Sequence, residues 1–261
     1  MGLIMLLALP SRYIPYNFKQ VNLKTISPAA IPFFARAVET DDLAPVLEAM
    51  QTCIDVDVNE LTEGDFYYIL TIMRVVIFKR NALVARWRCQ SDMFQRPDTK
   101  ERWTRQNLLD YVEAWNSGVR EGMVDPATLP LDSVVCDFNN EEKVEPDDLI
   151  LHYLPEQTED SVPLQLHPSL DFPRARHLAE CYQLSDDVDH GPLVRVAKWV
   201  RDGRTIMEKI DLIMADMDLY ELALDAEANY RHGVTRYVKK KCRCCDEYNT
   251  LHMEVTPQSF L

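Results

Sequence analysis

Cysteine is the residue type that most restricts the folding of this chain, because cysteines that bind one metal ion must be brought together in space. The seven cysteines stand at positions 53, 89, 136, 181, 242, 244 and 245. Cys242 and Cys245 have the C-x-x-C spacing, which lets two thiolates of one tight turn bind zinc at about 2.3 Å. A tetrahedral structural site needs two further ligands. The fold therefore depends on whether a second pair exists.

An internal parallel supplies that second pair. The stretch Cys136-Asp137-Phe138-Asn139-Asn140 resembles Cys245-Asp246-Glu247-Tyr248-Asn249, and Cys89 follows basic residues as Cys242 does. Each half then has the order strand, cysteine, cysteine, strand. The sequence predicts a zinc ribbon that clamps two β-hairpins, with a structural zinc ion and no open catalytic position. The predicted ligands are Cys89, Cys136, Cys242 and Cys245.

Three features leave alternatives open at this site. Positions 90–135 separate the first two cysteines, and Asp246 stands where glycine usually eases the turn. Cys244 or His252 could replace one ligand, and all the cysteines could be ordinary reduced thiols of a cytoplasm-like compartment. Cys53 and Cys181 lie in helical patterns, so we expect them to be buried apolar residues.

The net charge of the protein restricts the classes of molecule that can be its partners. Lys and Arg total 28 against 42 Asp and Glu, so the net charge is 28 − 42 = −14. Such a surface repels phosphate backbones, and we expect no nucleic acid as the main partner. The apolar run at 3–9 is too short to span a membrane and has no preceding basic segment, so we expect a buried strand and no membrane span.

The hydrophobic patterns predict an α+β fold. A helical body (27–78 and 173–224) lies beside a small antiparallel, zinc-ribbon-like β unit built from distant segments (81–89, 133–155 and 234–256). The predicted regions are an N-terminal strand and helical region, 1–80; a β region, 81–156, with an inserted helix at 90–135; a second helical region, 157–233; and a cysteine knuckle with a final strand, 234–261.

Local signals place several boundaries. Thr40, followed by two aspartates, predicts a helix start, and so does Thr62 with Asp65 three residues on. Thr205 and Glu208 form a capping box that opens a helix reaching about Leu224. An acidic turn is expected at 139–142, between two strands.

The helix that begins at Thr62 is apolar on most sides. Burial in the core of its own fold explains this, and so does contact with a neighbouring subunit. For the second case, the predicted partner-binding residues are Phe66, Tyr67, Tyr68, Val75 and Phe78.

Common catalytic signatures are absent from the sequence. Only seven glycines occur, without a phosphate-binding loop, and neither G-x-S-x-G nor H-E-x-x-H is found. We therefore predict a non-enzyme. A carboxylate-pair glycosidase leaves no short signature, so a cell-wall hydrolase stays an alternative.

Several short stretches along the chain match one known pattern. The most specific is Leu61-Thr62-Glu63-Gly64-Asp65-Phe66-Tyr67-Tyr68. The other matching stretches are Leu9-Pro10-Ser11 with Tyr16, Glu39-Thr40-Asp41-Asp42-Leu43, Trp87-Arg88-Cys89, Asp218-Leu219-Tyr220, His232-Gly233-Val234 and Ser259-Phe260-Leu261. With these stretches the chain resembles the baseplate hub and assembly proteins of T-even-type contractile-tailed bacteriophages.

The resemblance implies a non-catalytic structural subunit of the phage tail baseplate. Its partners would be hub, spike, wedge or tail tube subunits, and it would be assembled in the host cytoplasm and retained in the virion. Homo-oligomerisation stays open. Two alternatives remain: an assembly chaperone that is not retained in the virion, and a zinc-ribbon transcription regulator, favoured only by the Lys239-Lys240-Lys241 triplet.

Overall fold

A computed structural model describes residues 5–25, 28–77, 83–96, 102–118, 131–157, 164–185 and 190–253. The strands in this part of the chain are β1 (Met5–Leu7), β2 (Val21–Leu23), β3 (Val84–Arg88), β4 (Asp92–Gln95), β5 (Arg102–Thr104), β6 (Asp132–Val135), β7 (Asn139–Lys143), β8 (Leu149–His152), β9 (Gly233–Lys241) and β10 (Tyr248–His252). The helices are α1 (Ile31–Thr40), α2 (Ala44–Gln51), α3 (Glu63–Ile72), α4 (Arg105–Gly118), α5 (Leu178–Ser185), α6 (Gly191–Ala197), α7 (Ile206–Ala215) and α8 (Met217–Tyr230).

The predicted α+β class is confirmed. The chain divides into two compact units. The first contains 1–82, 149–236 and 254–261, and it includes α1–α3 and α5–α8. The second contains 83–148 and 237–253, with the paired strands around the cysteines. In the described part of the chain, no helix combines the length and the apolar character needed to cross a membrane.

The first half of the first unit packs a short antiparallel pair, β1 and β2, near α1–α3. The helix start predicted at Thr62 is confirmed, because its Oγ1 accepts a hydrogen bond from the backbone N–H of Asp65. The helix start predicted at Thr40 is wrong. Thr40 is the last residue of α1, and its hydroxyl donates to the carbonyl of Arg36 one turn back. Asp42 instead accepts from the N–H of Ala44 at the start of α2.

The second half of this unit is a helical layer in which α7 and α8 both contact α6. The predicted capping box of Thr205 and Glu208 is present. The single helix predicted to reach Leu224 is wrong, because Asp216 adopts an extended conformation (φ −135°, ψ 103°) and separates α7 from α8. Its carboxylate accepts hydrogen bonds from Asp218 and Leu219, so it caps α8. The core of this layer contains Trp199, Ile206, Ile210, Ile213, Ala223 and Ala226.

In the second unit, β3 pairs antiparallel with β7 and β9 pairs antiparallel with β10. Both hairpins therefore have the predicted order of strand, cysteine, cysteine, strand. The insertion at 90–135 contains the predicted helix, α4, and also β4, which pairs with β5 and β6. The acidic turn predicted at 139–142 is wrong, because these residues form β7 and pair with β3. The reversal falls on 136–138, where Asp137 has a positive φ of 55°.

Candidate metal centre

Four cysteines from the two hairpins meet in one buried cluster. Cys89, Cys136, Cys242 and Cys245 are at most 3% exposed, and their sulfur atoms all lie within 4.8 Å of one another. The Sγ atoms of Cys89 and Cys245 are 3.6 Å apart, and those of Cys136 and Cys242 are 3.7 Å apart. Tetrahedral thiolates at about 2.3 Å from zinc would be separated by about 3.8 Å. This group could therefore bind a metal ion.

The two cysteine turns have the same backbone hydrogen bonds. In the first, Cys89 N–H donates to the carbonyl of Phe138 (2.9 Å) and Asp137 N–H donates to the carbonyl of Cys89 (3.1 Å). In the second, Cys242 N–H donates to the carbonyl of Glu247 and Asp246 N–H to the carbonyl of Cys242, both at 2.9 Å. The internal parallel in the sequence thus reflects two equivalent turns.

Aspartate takes the usual glycine position in both turns. Asp137 and Asp246 have φ angles of 55° and 62°, in the left-handed region that Asp tolerates better than most residues. Each carboxylate also forms an ion pair with the basic residue before the first cysteine of its turn, Arg88 or Lys241. Asp246 is therefore compatible with a metal-binding turn.

Two asparagines cross between the turns and donate hydrogen bonds to the sulfur atoms. Asn140 Nδ2 lies 3.4 Å from Sγ of Cys242, and Asn249 Nδ2 lies 3.7 Å from Sγ of Cys89. Amide donors stabilise negative charge on the thiolates and orient them. These residues were not predicted as part of the site, although each is the fourth residue after the second cysteine of its turn.

The thiols differ in their tendency to ionise. Burial disfavours ionisation of Cys242, but hydrogen bonds from the backbone N–H of Cys245 and from Asn140 outweigh it and lower the pKa of the thiol to about 6. Burial raises the pKa of Cys136 and raises the pKa of Cys245 to about 11. Of these three thiols, Cys242 therefore ionises most readily, and a bound metal cation would favour the ionised form of the other two.

The alternative ligands lie outside this cluster. Cys244 is exposed, and its N–H donates to Sγ of Cys242 at 3.4 Å. His252 is exposed on β10, where its ring contacts Tyr237 with centroids 5.4 Å apart. Cys53 is fully buried, as expected. Cys181 is half-buried, and burial raises the pKa of its thiol to about 12.

The predicted partner-binding residues of α3 have different environments. Phe66 is fully buried, so it belongs to the core and has no surface to offer to a partner. Tyr67, Tyr68 and Val75 are half-buried. Phe78 lies outside the described residues. For the three half-buried side chains, partner contact stays a prediction.

A second buried polar cluster lies in the first unit, around the carboxylate of Asp65. This carboxylate is fully buried and accepts hydrogen bonds from the N–H of Ser11 (3.0 Å) and the hydroxyl of Tyr16 (2.5 Å). The Tyr16 hydroxyl also accepts from the N–H of Thr62, whose own hydroxyl lies 2.7 Å from Nε2 of His232. The cluster joins three segments that are far apart in sequence.

Two glycines allow the close approach beside His232. A Cβ atom on Gly64 would lie 2.2 Å from the carbonyl oxygen of His232. Gly233 has a φ of +107°, and a Cβ there would lie 2.5 Å from the carbonyl oxygen of Gly64. Only glycine fits at these positions, so α3 and the segment before β9 pack backbone to backbone.

A polar cleft beside this cluster has two carboxylates, and each is held by a cation. Lys198 Nζ lies 2.6 Å from Glu63, and Arg195 Nε lies 3.2 Å from the buried Glu227. Burial disfavours the charged form of Lys198, but Glu63 outweighs this and raises the pKa of its ammonium group. The geometry thus favours a structural ion-pair cluster.

No protein-family model, curated protein or solved structure matches this chain.

Proposed function

We propose that Cys89, Cys136, Cys242 and Cys245 hold one structural zinc ion as thiolates. The observation that carries the proposal is the set of sulfur separations, 3.6 and 3.7 Å for two pairs and at most 4.8 Å for all of them. Four thiolates complete the tetrahedral shell of zinc, so no position remains for substrate or water. Equivalent turns with amide donors to sulfur support the same assignment.

Such a zinc ion would clamp the two hairpins, which come from distant parts of the chain. The apolar cluster around the cysteines contains, among the described residues, Met93 and the partly buried Val134, and the unit also buries Leu108, Val144 and Val238. Because so small an apolar core stabilises a fold weakly, metal binding would contribute much of the folding free energy of this unit.

At the level of the whole protein, we propose a non-catalytic structural subunit of a contractile-tail phage baseplate, in the hub region. It would act by docking to hub, spike, wedge or tail tube proteins in the virion. The proposal rests on the sequence resemblance. It is supported by where the resembling stretches lie: Ser11, Tyr16, Thr62, Asp65 and His232 form one buried network. Stretches that maintain one structural network are expected to persist together in a family.

Mass spectrometry of purified virions, from the phage that encodes this protein, tests the proposal. We expect the polypeptide in gradient-purified particles at a constant ratio to other baseplate subunits. Its absence from particles, together with failed tail assembly when the gene is deleted, would instead establish the assembly chaperone. Normal tails after deletion would contradict both.

One observation favours the zinc-ribbon regulator as a second candidate. The exposed face of the β9–β10 hairpin carries Tyr237, Lys239, Lys241 and Tyr248, and Tyr248 is 70% exposed. Basic and aromatic side chains on one ribbon are typical of nucleic-acid surfaces. Salt-sensitive binding of labelled single-stranded or duplex DNA that Tyr248→Ala abolishes would establish this function. Absence of binding at low salt would exclude it.

A further inference from the structure

Exposed apolar side chains are concentrated in the segment of the chain that forms α7 and α8. Fifteen large hydrophobic side chains are exposed among the described residues, and five of them fall between positions 212 and 224. Met214 and Met217 are 69% and 68% exposed. The other three are Leu212, Leu222 and Leu224. Clustered exposed apolar side chains mark interaction sites more often than scattered ones do.

These side chains have no role in the core beneath them. The inner sides of the two helices bury Ile206, Ile210, Ile213, Ala223 and Ala226 in the helical layer. Leaving methionine and leucine on the outer side therefore does not stabilise the isolated chain. Methionine is also the apolar side chain that adapts best to the shape of a partner.

On α8 the exposed residues form two neighbouring rows along the helix. Met217, Glu221 and Leu224 are spaced i, i+4 and i+7, and so are Asp218, Leu222 and Asp225. Residues with this spacing lie on one side of a helix. Each row alternates apolar and acidic side chains. A partner helix lying along this side would therefore contact apolar side chains and carboxylates in alternation.

The exposed charged residues of these two helices are all negative. Asp211, Asp218, Glu221 and Asp225 are exposed. The only basic residue in the two helices is Lys209, which is 5% exposed and donates its ammonium group to the carbonyl of Val200. Carboxylates around an apolar surface attract cationic partners and repel acidic ones.

We propose that the outer side of α7 and α8 is a docking surface for a basic amphipathic helix of another protein. Apolar side chains of the partner would pack on Met214, Met217 and Leu224, and its Lys or Arg residues would lie over Asp218 and Glu221. This inference deepens the docking role proposed above and rests on it. Peptide binding in solution and the presence of the protein in virions are measured separately. Failure of this inference can therefore be distinguished from failure of the proposed function.

The experiment uses a synthetic helical peptide with leucine and lysine at amphipathic spacing, and a twin peptide in which glutamate replaces lysine. Fluorescence anisotropy measures their binding to the full-length protein. We expect the basic peptide to bind with an affinity that falls as salt rises, and the acidic twin not to bind. Equal binding of both peptides, or no binding of the basic one at low salt, would overturn the proposal.

Substitutions distinguish binding at this surface from nonspecific electrostatic attraction of a basic peptide to an acidic protein. We expect the double variant Met217→Ser/Leu224→Ser to weaken binding at least tenfold, and Asp218→Asn/Glu221→Gln to weaken it severalfold and reduce its salt dependence. The matched controls lie on α4, where Leu109 is 47% exposed and Asp110 and Glu113 are exposed with the same spacing as Asp218 and Glu221.

Leu109→Ser and Asp110→Asn/Glu113→Gln should change the affinity by less than twofold. Equal losses in the α4 and α8 variants would show nonspecific charge attraction and overturn the proposal. Analytical ultracentrifugation tests whether a second copy of this protein occupies the surface instead. If the protein self-associates and only Met217→Ser/Leu224→Ser abolishes this, a second copy occupies the surface and the proposed partner is wrong.

Discussion

Asn140 donates its side-chain amide to Sγ of Cys242 at 3.4 Å, although 102 residues separate the two in sequence. Asn249 makes the corresponding contact with Cys89. Each hairpin thus donates to a sulfur atom of the other hairpin, and the two turns are related by an approximate twofold arrangement. Asn140 also joins the two turns through its oxygen, because the backbone N–H of Arg243 donates to Oδ1 of Asn140.

Replacing a cluster cysteine should release the metal. We expect the reduced, chelator-free protein to contain one zinc per chain, and Cys136→Ser to contain none. Structural zinc contributes about 10 kcal/mol or more in isolated zinc fingers, so we expect the melting temperature to fall by at least about 10 °C. Elemental analysis and thermal unfolding measure both effects.

The matched control is Cys244→Ser, which removes the exposed neighbour of Cys245. It should retain the zinc and the wild-type melting temperature. Loss of metal in this variant, or absence of zinc from the wild-type protein, would contradict the assignment of ligands.

The left-handed conformation of Asp246 should determine which residues are tolerated there. Asp246→Gly removes the exposed ion pair with Lys241, which contributes less than about 1 kcal/mol. The same substitution relieves the cost of holding a non-glycine residue in the left-handed region, which is of similar size. We expect stability within about 1 kcal/mol of wild type. Asp246→Val forces a β-branched residue to the φ of 62° and should destabilise the protein by about 2 kcal/mol. Chemical denaturation compares the two variants, and equal stability would be inconsistent with this turn.

The Tyr16 hydroxyl should be needed for the stability of the first unit. Tyr16→Phe leaves the buried carboxylate of Asp65 and the N–H of Thr62 without this partner. We expect a loss of about 2–4 kcal/mol in the free energy of unfolding. Tyr13→Phe is the control, because the Tyr13 hydroxyl donates to the carbonyl of Leu7 from a half-buried position. Denaturant unfolding should show a smaller effect for Tyr13→Phe, and the reverse order would refute the role of the network.

His177 should make the folded state less stable in acid. Burial, together with Lys209 and Arg176, lowers the pKa of this imidazole from 6.5 to about 4, and its Nε2 accepts a hydrogen bond from Arg176. Because the unfolded chain binds the proton first, the contribution of His177 is present above pH 6.5 and is lost as the pH falls towards 4.

The check is the difference in unfolding free energy between wild type and His177→Gln as a function of pH. We expect the free energy of unfolding of the variant to rise progressively relative to that of the wild type as the pH falls from 6.5 to 4, because the variant has no imidazole to protonate. A difference that is independent of pH would show that His177 titrates alike in both states. Because both proteins contain the same other titratable groups, the difference isolates the contribution of His177.

The sequence alone predicted those features that depend on neighbouring residues. Helix starts at Thr62 and Thr205 follow from a hydroxyl cap and an acidic residue three positions on, and both are present. The four clustered cysteines were also predicted, because the Cys-Asp-x-x-Asn pattern that begins at Cys136 and again at Cys245 is visible without coordinates. The α+β class follows from the same local patterns.

The tertiary structure decided which local signals are used. Thr40 resembles a cap at a helix start, yet its hydroxyl donates back to the carbonyl of Arg36 and α1 ends at this residue. Phe66 resembles a docking residue, yet it is fully buried by its own fold. Asn140 acquires its role only when Cys242 arrives from the other end of the chain. A local pattern fixes what a side chain can do with its near neighbours, whereas burial and distant partners depend on how the whole chain packs.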